Sequence, residues 1–245
     1  MFKVLERLFH DKIATEEISL TGSERYRGQL KGCPSAGCLK ECAGVCPVGA
    51  FRINAAGDDC EIDYSKCIFC GRCVEKAMSM GDTALSHSSD DAMPFITAVG
   101  AEITADVLKQ KLGRSLHVRH LDAGSCNGCD FEMGALGGPM YDLARYGVHF
   151  VASPRHADLL MVTGVVTRNL EQALRMTYEA MPEPRLVMAC GACAAGGSTY
   201  GESYAIVGAA DKVVPVDICV PGCPPRPSAM IAGLLAAADM LKERM

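Results

Sequence analysis

The second half of the chain alternates between short strand-like runs and longer stretches of helical periodicity. Residues 115–121, 185–189 and 213–218 have the length and pattern of buried strands. Between and after them, helical patterns cover residues 129–145, 169–180, 203–210 and 225–244. Strands that alternate with helices favour a parallel sheet covered on both faces. The pattern therefore predicts an α/β domain.

A cysteine-containing loop follows each predicted strand. GSCNGCD carries Cys126 and Cys129, GACAAGG carries Cys193, and PGCPP carries Cys223. In open parallel sheets, ligands collect at the carboxyl ends of the strands. We therefore expect the four thiols to meet at one edge, where they suit an iron–sulfur cluster or zinc. Glycines crowd all three loops and allow backbone N–H groups to approach sulfide, which favours the cluster over unligated core cysteines.

A second cysteine-rich unit lies upstream. Cys67-x2-Cys70-x2-Cys73 places three thiols on one tight loop, a spacing typical of iron–sulfur clusters. In two-cluster ferredoxins a Cys-Pro pair from the other motif gives the fourth ligand, and Cys46-Pro47 supplies that pair here. A zinc knuckle is the alternative interpretation.

The rest of this unit departs from a two-cluster pattern. The fourth position after Cys73, where a further cysteine is expected, holds Ala77. The first motif is spaced Cys33-x4-Cys38-x3-Cys42, and Cys60 is an additional thiol in the connecting segment. These four thiols can hold a third cluster or a structural zinc. A three-iron cluster on the first three and unligated core cysteines are the other interpretations.

The motifs of both units resemble known families. The N-terminal unit resembles a bacterial-type ferredoxin domain, an α+β fold. HVRHLDAGSCNGCD, SPRHADLLMVTGVVTRNL, GACAAGG and VPVDICVPGCPPRP resemble the small electron-transfer subunit of membrane-associated [NiFe] hydrogenases and formate hydrogenlyase-type complexes. The homologous subunit of respiratory complex I, which carries its terminal cluster, shares most of these motifs. The second resemblance covers roughly residues 113–245 and implies a flavodoxin-like fold.

The resemblances also imply ligand sets. A proximal [4Fe–4S] cluster falls on Cys126, Cys129, Cys193 and Cys223, and a ferredoxin-like [4Fe–4S] cluster falls on Cys46, Cys67, Cys70 and Cys73. The complex I type has two adjacent cysteines at the first position, whereas two residues separate them here, as in the hydrogenase type. The hydrogenase type usually has Glu after the second cysteine. Here Asp130 occupies that position, and Glu132 lies nearby. Helix capping or proton transfer is the expected role of Asp130.

Other polar residues near these motifs have less defined roles. In the loop SPRHAD, Arg155 can donate hydrogen bonds near the proximal cluster, and His156 can carry redox-linked protons. A local ion pair between Arg155 and Asp158 is the alternative. His117 and His120 lie on a predicted strand and are expected to be structural. Two further cysteines next to proposed ligands are expected to be packing residues, namely Cys190 and Cys219.

Composition narrows the class of protein. The chain has 245 residues, a net charge of −5 and no block rich in Lys or Arg, which argues against a nucleic-acid partner. Its 14 cysteines, in CxxC and Cys-Pro contexts, indicate metal binding in a reducing compartment. The first residues lack the apolar core of a signal peptide. We expect a cytoplasmic protein that reaches the inner membrane only through partner subunits.

Four segments follow from these patterns. Residues 1–22 are expected to form an amphipathic helix that packs on the protein or docks on a neighbouring subunit or the membrane surface, and residues 23–86 are expected to form the ferredoxin-like domain. Residues 87–112 form a linker and a helix at 103–112. Residues 113–245 form the proximal-cluster domain.

The resemblance implies an electron-transfer subunit of an oxidoreductase complex. Its active site would lie in a partner, a [NiFe] hydrogenase-type large subunit, because the ligand motifs of that metal centre are missing from this sequence. Further iron–sulfur subunits and membrane-arm subunits are the other expected partners. The alternatives are a complex I-like module that reduces quinone and a zinc-stabilised scaffold.

Overall fold

The computed structural model describes residue 27 and residues 30–87, 96–97, 114–197, 199–201 and 203–244. The helices predicted within residues 1–22 and at 103–112 lie outside these ranges.

The N-terminal unit is a small α+β fold built on two antiparallel strand pairs. Its elements are β1 (Leu30–Lys31), α1 (Ala36–Gly44), β2 (Phe51–Ile53), β3 (Cys60–Ile62), α2 (Arg72–Ser79) and β4 (Ser86–His87). Strand β1 pairs with β4, and β2 pairs with β3. The two helices contribute buried cysteines and small residues to a common core. This arrangement agrees with the predicted ferredoxin-like fold.

The second unit contains a six-stranded sheet. Its elements are β5 (Ile96–Thr97), β6 (Leu116–Asp122), α3 (Gly128–Ala135), β7 (Val148–Phe150) and β8 (Leu159–Thr163), followed by β9 (Val166–Thr167), α4 (Arg168–Glu179), β10 (Leu186–Cys190), α5 (Ala192–Gly196), β11 (Ile206–Gly208), β12 (Ile218–Val220) and α6 (Pro227–Arg244). Strands β7, β6, β8, β10 and β12 are parallel neighbours in that order, and β5 adds an antiparallel edge. The parallel strands thus follow the order 2-1-3-4-5, which is flavodoxin-like.

Apolar side chains cover both faces of this sheet. Along β10, Leu186 and Met188 belong to one core cluster, while Val187 and Ala189 belong to the other. Successive side chains of a strand point to opposite faces, so this alternation places a core on each side. Helix α6 joins the first core and Leu174 of α4 joins the second. The predicted parallel sheet with two covered faces is confirmed.

The strand register brings the ends of the central strands into one row. Asp122 of β6 and Cys190 of β10 both pair with Thr163 of β8, and Cys190 also pairs with Val220 of β12. The three cysteine loops leave the sheet within a few residues of this row. They therefore start from the same edge, as the sequence predicts.

Three predicted elements differ from the structure. Residues 203–210 are not a helix, because Ile206–Gly208 pairs antiparallel with β9 and Gly208 has φ 128°, which a helix excludes. The strand predicted at 213–218 begins only at Ile218, since Val213 ends a short 3-10 turn. The helix predicted at 129–145 stops at Ala135 and resumes only as a 3-10 turn at Leu143–Tyr146. Among the described residues, no helix is both long and apolar enough to span a membrane.

Candidate metal centres

The first candidate centre lies at the carboxyl edge of the parallel sheet. The loop after β6 leads into α3 and presents Cys126 and Cys129, helix α5 presents Cys193, and the loop after β12 presents Cys223. Cys129 and Cys193 are buried, while Cys126 and Cys223 are exposed. The four thiols are close enough to influence one another's pKa. The structure therefore brings together the four cysteines that the sequence predicted to meet.

Hydrogen bonds between the backbones of the loops fix their separation. The N–H of Gly191 donates to Val220 O at 2.8 Å, and the N–H of Ala192 donates to Gly222 O at 2.8 Å. Gly191 has φ +91°, and a Cβ at this position would lie 2.7 Å from Cys129 Sγ. Only glycine fits this backbone against the sulfur. The absence of a side chain on Gly191 therefore leaves space for the sulfur of Cys129.

The surroundings of these thiols act on their pKa values in opposite directions. Burial and the neighbouring Cys193 and Cys223 raise the pKa of Cys129 to about 12. By contrast, the N–H of Gly128 and the hydroxyl of Tyr200 lower the pKa of the exposed Cys126, because both donate hydrogen bonds to its sulfur. A buried thiol with a raised pKa releases its proton when a metal binds to the sulfur in place of that proton.

A network of polar side chains joins the first cysteine loop to the ends of the neighbouring strands. Asp130 accepts hydrogen bonds from Ser125 Oγ at 2.5 Å and from Thr163 Oγ1 at 3.0 Å. His120 Nε2 lies 3.1 Å from Asp130 Oδ1 and 2.8 Å from Thr163 Oγ1. Burial lowers the pKa of His120, although Asp130 and Asp122 act in the opposite direction. Asp130 thus ties the start of α3 to β6 and β8, and it does not act as a simple helix cap.

Sequence reasoning missed two members of these surroundings. Thr163 carried no signal, because it ends an apolar strand in which it is a single polar residue. Tyr200 lies in the segment after Cys193, and its contact with Cys126 depends on how that segment folds back. The position of Asp130 beside a predicted ligand was the only local signal for the network.

The second candidate centre is a mainly apolar cavity in the N-terminal unit. Its lining includes all four predicted ligands of the ferredoxin-like cluster, Cys46, Cys67, Cys70 and Cys73. Gly71 and His87 also line it. Burial raises the pKa of Cys67 to about 11 and that of Cys73 to about 12, with neighbouring thiols acting in the same direction. The donor set and the apolar walls fit an iron–sulfur cluster.

The remaining cysteines of the N-terminal unit form a third group. The Cys33 and Cys60 thiols are hydrogen-bonded, and Cys42 lies near both Cys60 and Cys38. The structure brings these four residues near one another, and neither iron nor zinc is assigned to them by their position alone. Within the described residues, no three His, Cys, Asp or Glu side chains are arranged to hold a single metal ion.

Two predicted cofactor-binding residues lie elsewhere. Arg155 and His156 are exposed on a 3-10 turn immediately before β8, whereas the cysteine loops follow the opposite ends of the strands. The structure therefore does not bring them to the proximal thiols. The alternative pair with Asp158 is also absent from the described contacts, since Asp158 instead accepts from Arg114 at 3.0 Å and from the N–H of His117. Sequence order misled here because the SPRHAD loop enters a strand instead of leaving one.

The two extra cysteines of the sheet differ in their surroundings. Cys190 is fully buried at the end of β10, and burial raises its pKa well above the ordinary value. Cys219 is half-buried on β12, and burial raises its pKa to about 11. Both lie within strands, as expected for packing residues.

The two units meet beside the first centre. A Cβ on Gly196, three residues after Cys193, would lie 2.7 Å from Ser65 O and within 3.0 Å of Lys66. Lys66 directly precedes Cys67. A loop that carries a thiol of the second centre therefore touches the helix that carries a thiol of the first.

Fold and thiols together define an α/β protein with cysteine-rich centres at the strand ends and in a fused α+β unit. Residues 126–237 match the family described as NADH ubiquinone oxidoreductase, 20 Kd subunit. The probable membrane-bound hydrogenase subunit mbhJ of Pyrococcus furiosus is 48% identical over 130 residues, which cover 53% of this chain and 78% of that protein. Formate hydrogenlyase subunit 7 of Escherichia coli is 39% identical over 145 residues, which cover 59% of this chain and 56% of that protein.

A solved structure gives a similar match. A chain of the membrane-bound sulfane sulfur reductase, described as an archaeal respiratory membrane complex, is 36% identical with a TM-score of 0.47. The match covers 53% of this chain and 72% of that chain. From the sequence relatives, this chain belongs to the family of the NADH ubiquinone oxidoreductase 20 Kd subunit, which also includes hydrogenase-type subunits. Its homologues are subunits of oxidoreductase complexes.

Proposed function

We propose that this chain is the iron–sulfur electron-transfer subunit of a hydrogenase-type complex, with the catalytic [NiFe] centre in a partner large subunit. A proximal [4Fe–4S] cluster would be held by Cys126, Cys129, Cys193 and Cys223. A ferredoxin-like [4Fe–4S] cluster would be held by Cys46, Cys67, Cys70 and Cys73. Such clusters, when bound, supply one-electron transfer.

The observation that carries this proposal is the convergence of thiols from three strand ends. Cys126 and Cys129 come from one loop, and the other two thiols come from α5 and from the loop after β12. Gly191 leaves space for the sulfur of Cys129, and Tyr200 donates to the sulfur of Cys126. Four thiolates with hydrogen-bond donors around them match what an iron–sulfur cluster requires.

The contact between the two units supports passage of electrons through the chain. The Ser65–Lys66 segment beside Gly196 brings the Cys67 loop next to helix α5, which carries Cys193. The residues of this chain thus hold two cluster sites in adjoining elements. We infer that the ferredoxin-like site exchanges electrons with other iron–sulfur subunits, and that the proximal site serves the catalytic partner.

The exposed part of the sheet edge suits a partner surface. Cys126 and Cys223 are exposed, and Phe131 on α3 is 80% exposed. A cluster on these thiols would be shielded from water only if another protein covered this edge. The relatives named for membrane-bound hydrogenase and formate hydrogenlyase support a multisubunit setting. We infer that membrane attachment occurs through other subunits of the complex.

Ligand substitutions test the assignment of both clusters. The full chain is reconstituted with iron and sulfide without oxygen and is followed by electron paramagnetic resonance and iron analysis. Cys129→Ala is expected to remove the proximal signal and leave the ferredoxin-like one, and Cys67→Ala is expected to do the reverse. Cys219→Ala, the matched control, is expected to retain both signals. Loss of neither signal in the two ligand variants would contradict the assignment.

A complex I-like module that reduces quinone is the second candidate. The description of the matched family, a ubiquinone oxidoreductase subunit, favours it. The two residues between Cys126 and Cys129 favour the hydrogenase type instead. In the intact complex, Cys129→Ala should stop dye-linked turnover of H2 and preserve H2/D+ exchange, because exchange needs no exit for electrons. A partner without [NiFe] ligands would favour the quinone reaction.

A further inference from the structure

The four cysteines outside the two cluster sites converge from three separate segments. Cys33 follows β1, Cys38 and Cys42 lie on α1, and Cys60 begins β3. Residues four apart on a helix share a face, so the two thiols of α1 point the same way. Both are buried, whereas Cys33 and Cys60 are partly buried. Such a grouping of thiols is not explained by either site described above.

Contacts among the thiols close the group. The side chains of Cys33 and Cys60 are hydrogen-bonded to each other. Cys42 lies near Cys60 and Cys38, and its sulfur donates to Cys73 O at 3.5 Å. The last contact places the group directly beside the ferredoxin-like site. It therefore lies in the same core and not on a distant surface.

One carboxylate organises the segment that carries three of these thiols. Asp82 accepts from the N–H of Ser35 at 2.6 Å and from the N–H of Ala84 at 2.9 Å, and the Cys38 thiol also donates to it. Gly32 has φ +81°, and a Cβ there would lie 2.0 Å from Ala84 O. The backbone is thus held on both sides of Cys33 by contacts within the protein. Because these residues are already ordered, binding of a metal centre would cost less conformational entropy.

The ligand expected from a two-cluster spacing is missing at Ala77, which is fully buried in the same core. In two-cluster ferredoxins the last cysteine of one motif binds the cluster of the other motif. Here no thiol is present at that position of α2, and β3 brings Cys60 to the first motif instead. The number of thiols around the first motif is thereby restored to four.

We propose that Cys33, Cys38, Cys42 and Cys60 form a third centre that takes an iron–sulfur cluster, with Cys60 as the fourth ligand. Such a cluster requires deprotonated thiols, and each thiol releases its proton to solvent when the cluster binds. This inference deepens the proposed function by adding a centre beside the ferredoxin-like site. It does not depend on which partner the chain serves.

Metal analysis of the full chain tests the proposal directly. The chain is produced without oxygen in medium that contains iron and zinc, and both metals are counted per chain. With two four-iron clusters only, the count is about eight irons and no zinc, a result that would overturn the proposal. About eleven or twelve irons supports a third cluster, whereas about eight irons with about one zinc would also overturn the proposal.

Variants then locate the additional metal. Cys60→Ser and Cys33→Ser are each expected to lose the additional irons and to keep the spectroscopic signals of the other two clusters. Cys219→Ser is the control and is expected to match the unaltered chain. Metal content unchanged in both variants would refute the site. If the proposed function fails instead, the unaltered chain would lack the spectroscopic signals of the two other clusters, while the iron bound at Cys60 would remain.

Discussion

At the scale of single residues, the backbone of Gly191 constrains the proximal site directly at a thiol. It has φ +91° and ψ 156°, a region that residues with a side chain rarely occupy. Gly191→Ala is expected to destabilise the protein by about 1–3 kcal/mol and to reduce iron bound at the proximal site, because the new methyl group meets Cys129 Sγ. Thermal unfolding and iron analysis measure the two effects.

The control for this change is a helical glycine with free space around it. Gly134 on α3 has no atom within 4 Å of an added Cβ. Gly134→Ala is expected to raise stability by about 1 kcal/mol or less, since alanine favours helix. Equal effects at the two positions would contradict the role of Gly191.

Asp122 makes the first cysteine loop sensitive to acid. Burial alone would raise its pKa, but the N–H groups of Gly124 and Ser125 and the Ser125 hydroxyl donate to it and hold the pKa below the ordinary value. A carboxyl with a lowered folded pKa stabilises the protein above its unfolded pKa, and this stability is lost as pH falls through the folded value. Asp122→Asn is expected to flatten the dependence of Tm on pH below about 4. Parallel curves for both proteins would refute this.

At the scale of elements, helix α6 secures one face of the sheet. Leu234 is fully buried in the core that α6 shares with β10 and β12. Arg244, near the end of the helix, contacts Asp217 Oδ1 at 2.5 Å and donates to Arg185 O. Leu234→Ala is expected to lower the free energy of unfolding by about 2–5 kcal/mol, because the truncated side chain leaves a cavity. Denaturant unfolding measures this loss.

An exposed helical position serves as its control. Gln172 on α4 is exposed, so Gln172→Ala is expected to change stability by no more than about 0.5 kcal/mol. A small effect of Leu234→Ala, similar to that of the control, would mean that α6 is not part of the cooperative core.

The sequence could predict the parallel sheet because strand-like runs alternate with helical patterns, and three of these runs end at a cysteine loop. It also predicted which thiols meet, since their spacing and the strand ends carry that information. It could not predict the β9–β11 pair, where Val166 and Gly208 come together only through tertiary contact. Nor could it place Arg155, because the apolar pattern does not say at which edge a polar loop lies. The contact of Tyr200 with Cys126 likewise depends on how its segment folds back.

At the scale of the whole molecule, one edge of the sheet combines exposed thiols with an exposed aromatic side chain. Phe131 follows Asp130 in the first turn of α3, and its N–H donates to Asn127 O at 3.0 Å, so it is held beside the proximal site. Aromatic side chains are enriched at protein interfaces, where they bury a large area. If the proposed catalytic partner covers this edge, Phe131 is a side chain that it would bury.

Phe131→Ser is therefore expected to weaken assembly with the catalytic subunit by about tenfold or more, while the isolated chain keeps both clusters. Binding is measured by titrating labelled chain with the purified partner, and cluster content is checked by electron paramagnetic resonance. Met176→Ser on α4 is the matched control, because Met176 is 59% exposed but lies on the helix that joins the other core. It is expected to bind as the unaltered chain does. Unchanged binding of Phe131→Ser would place the partner on another surface. The exposed thiols at this edge would then have to be shielded from water in another way.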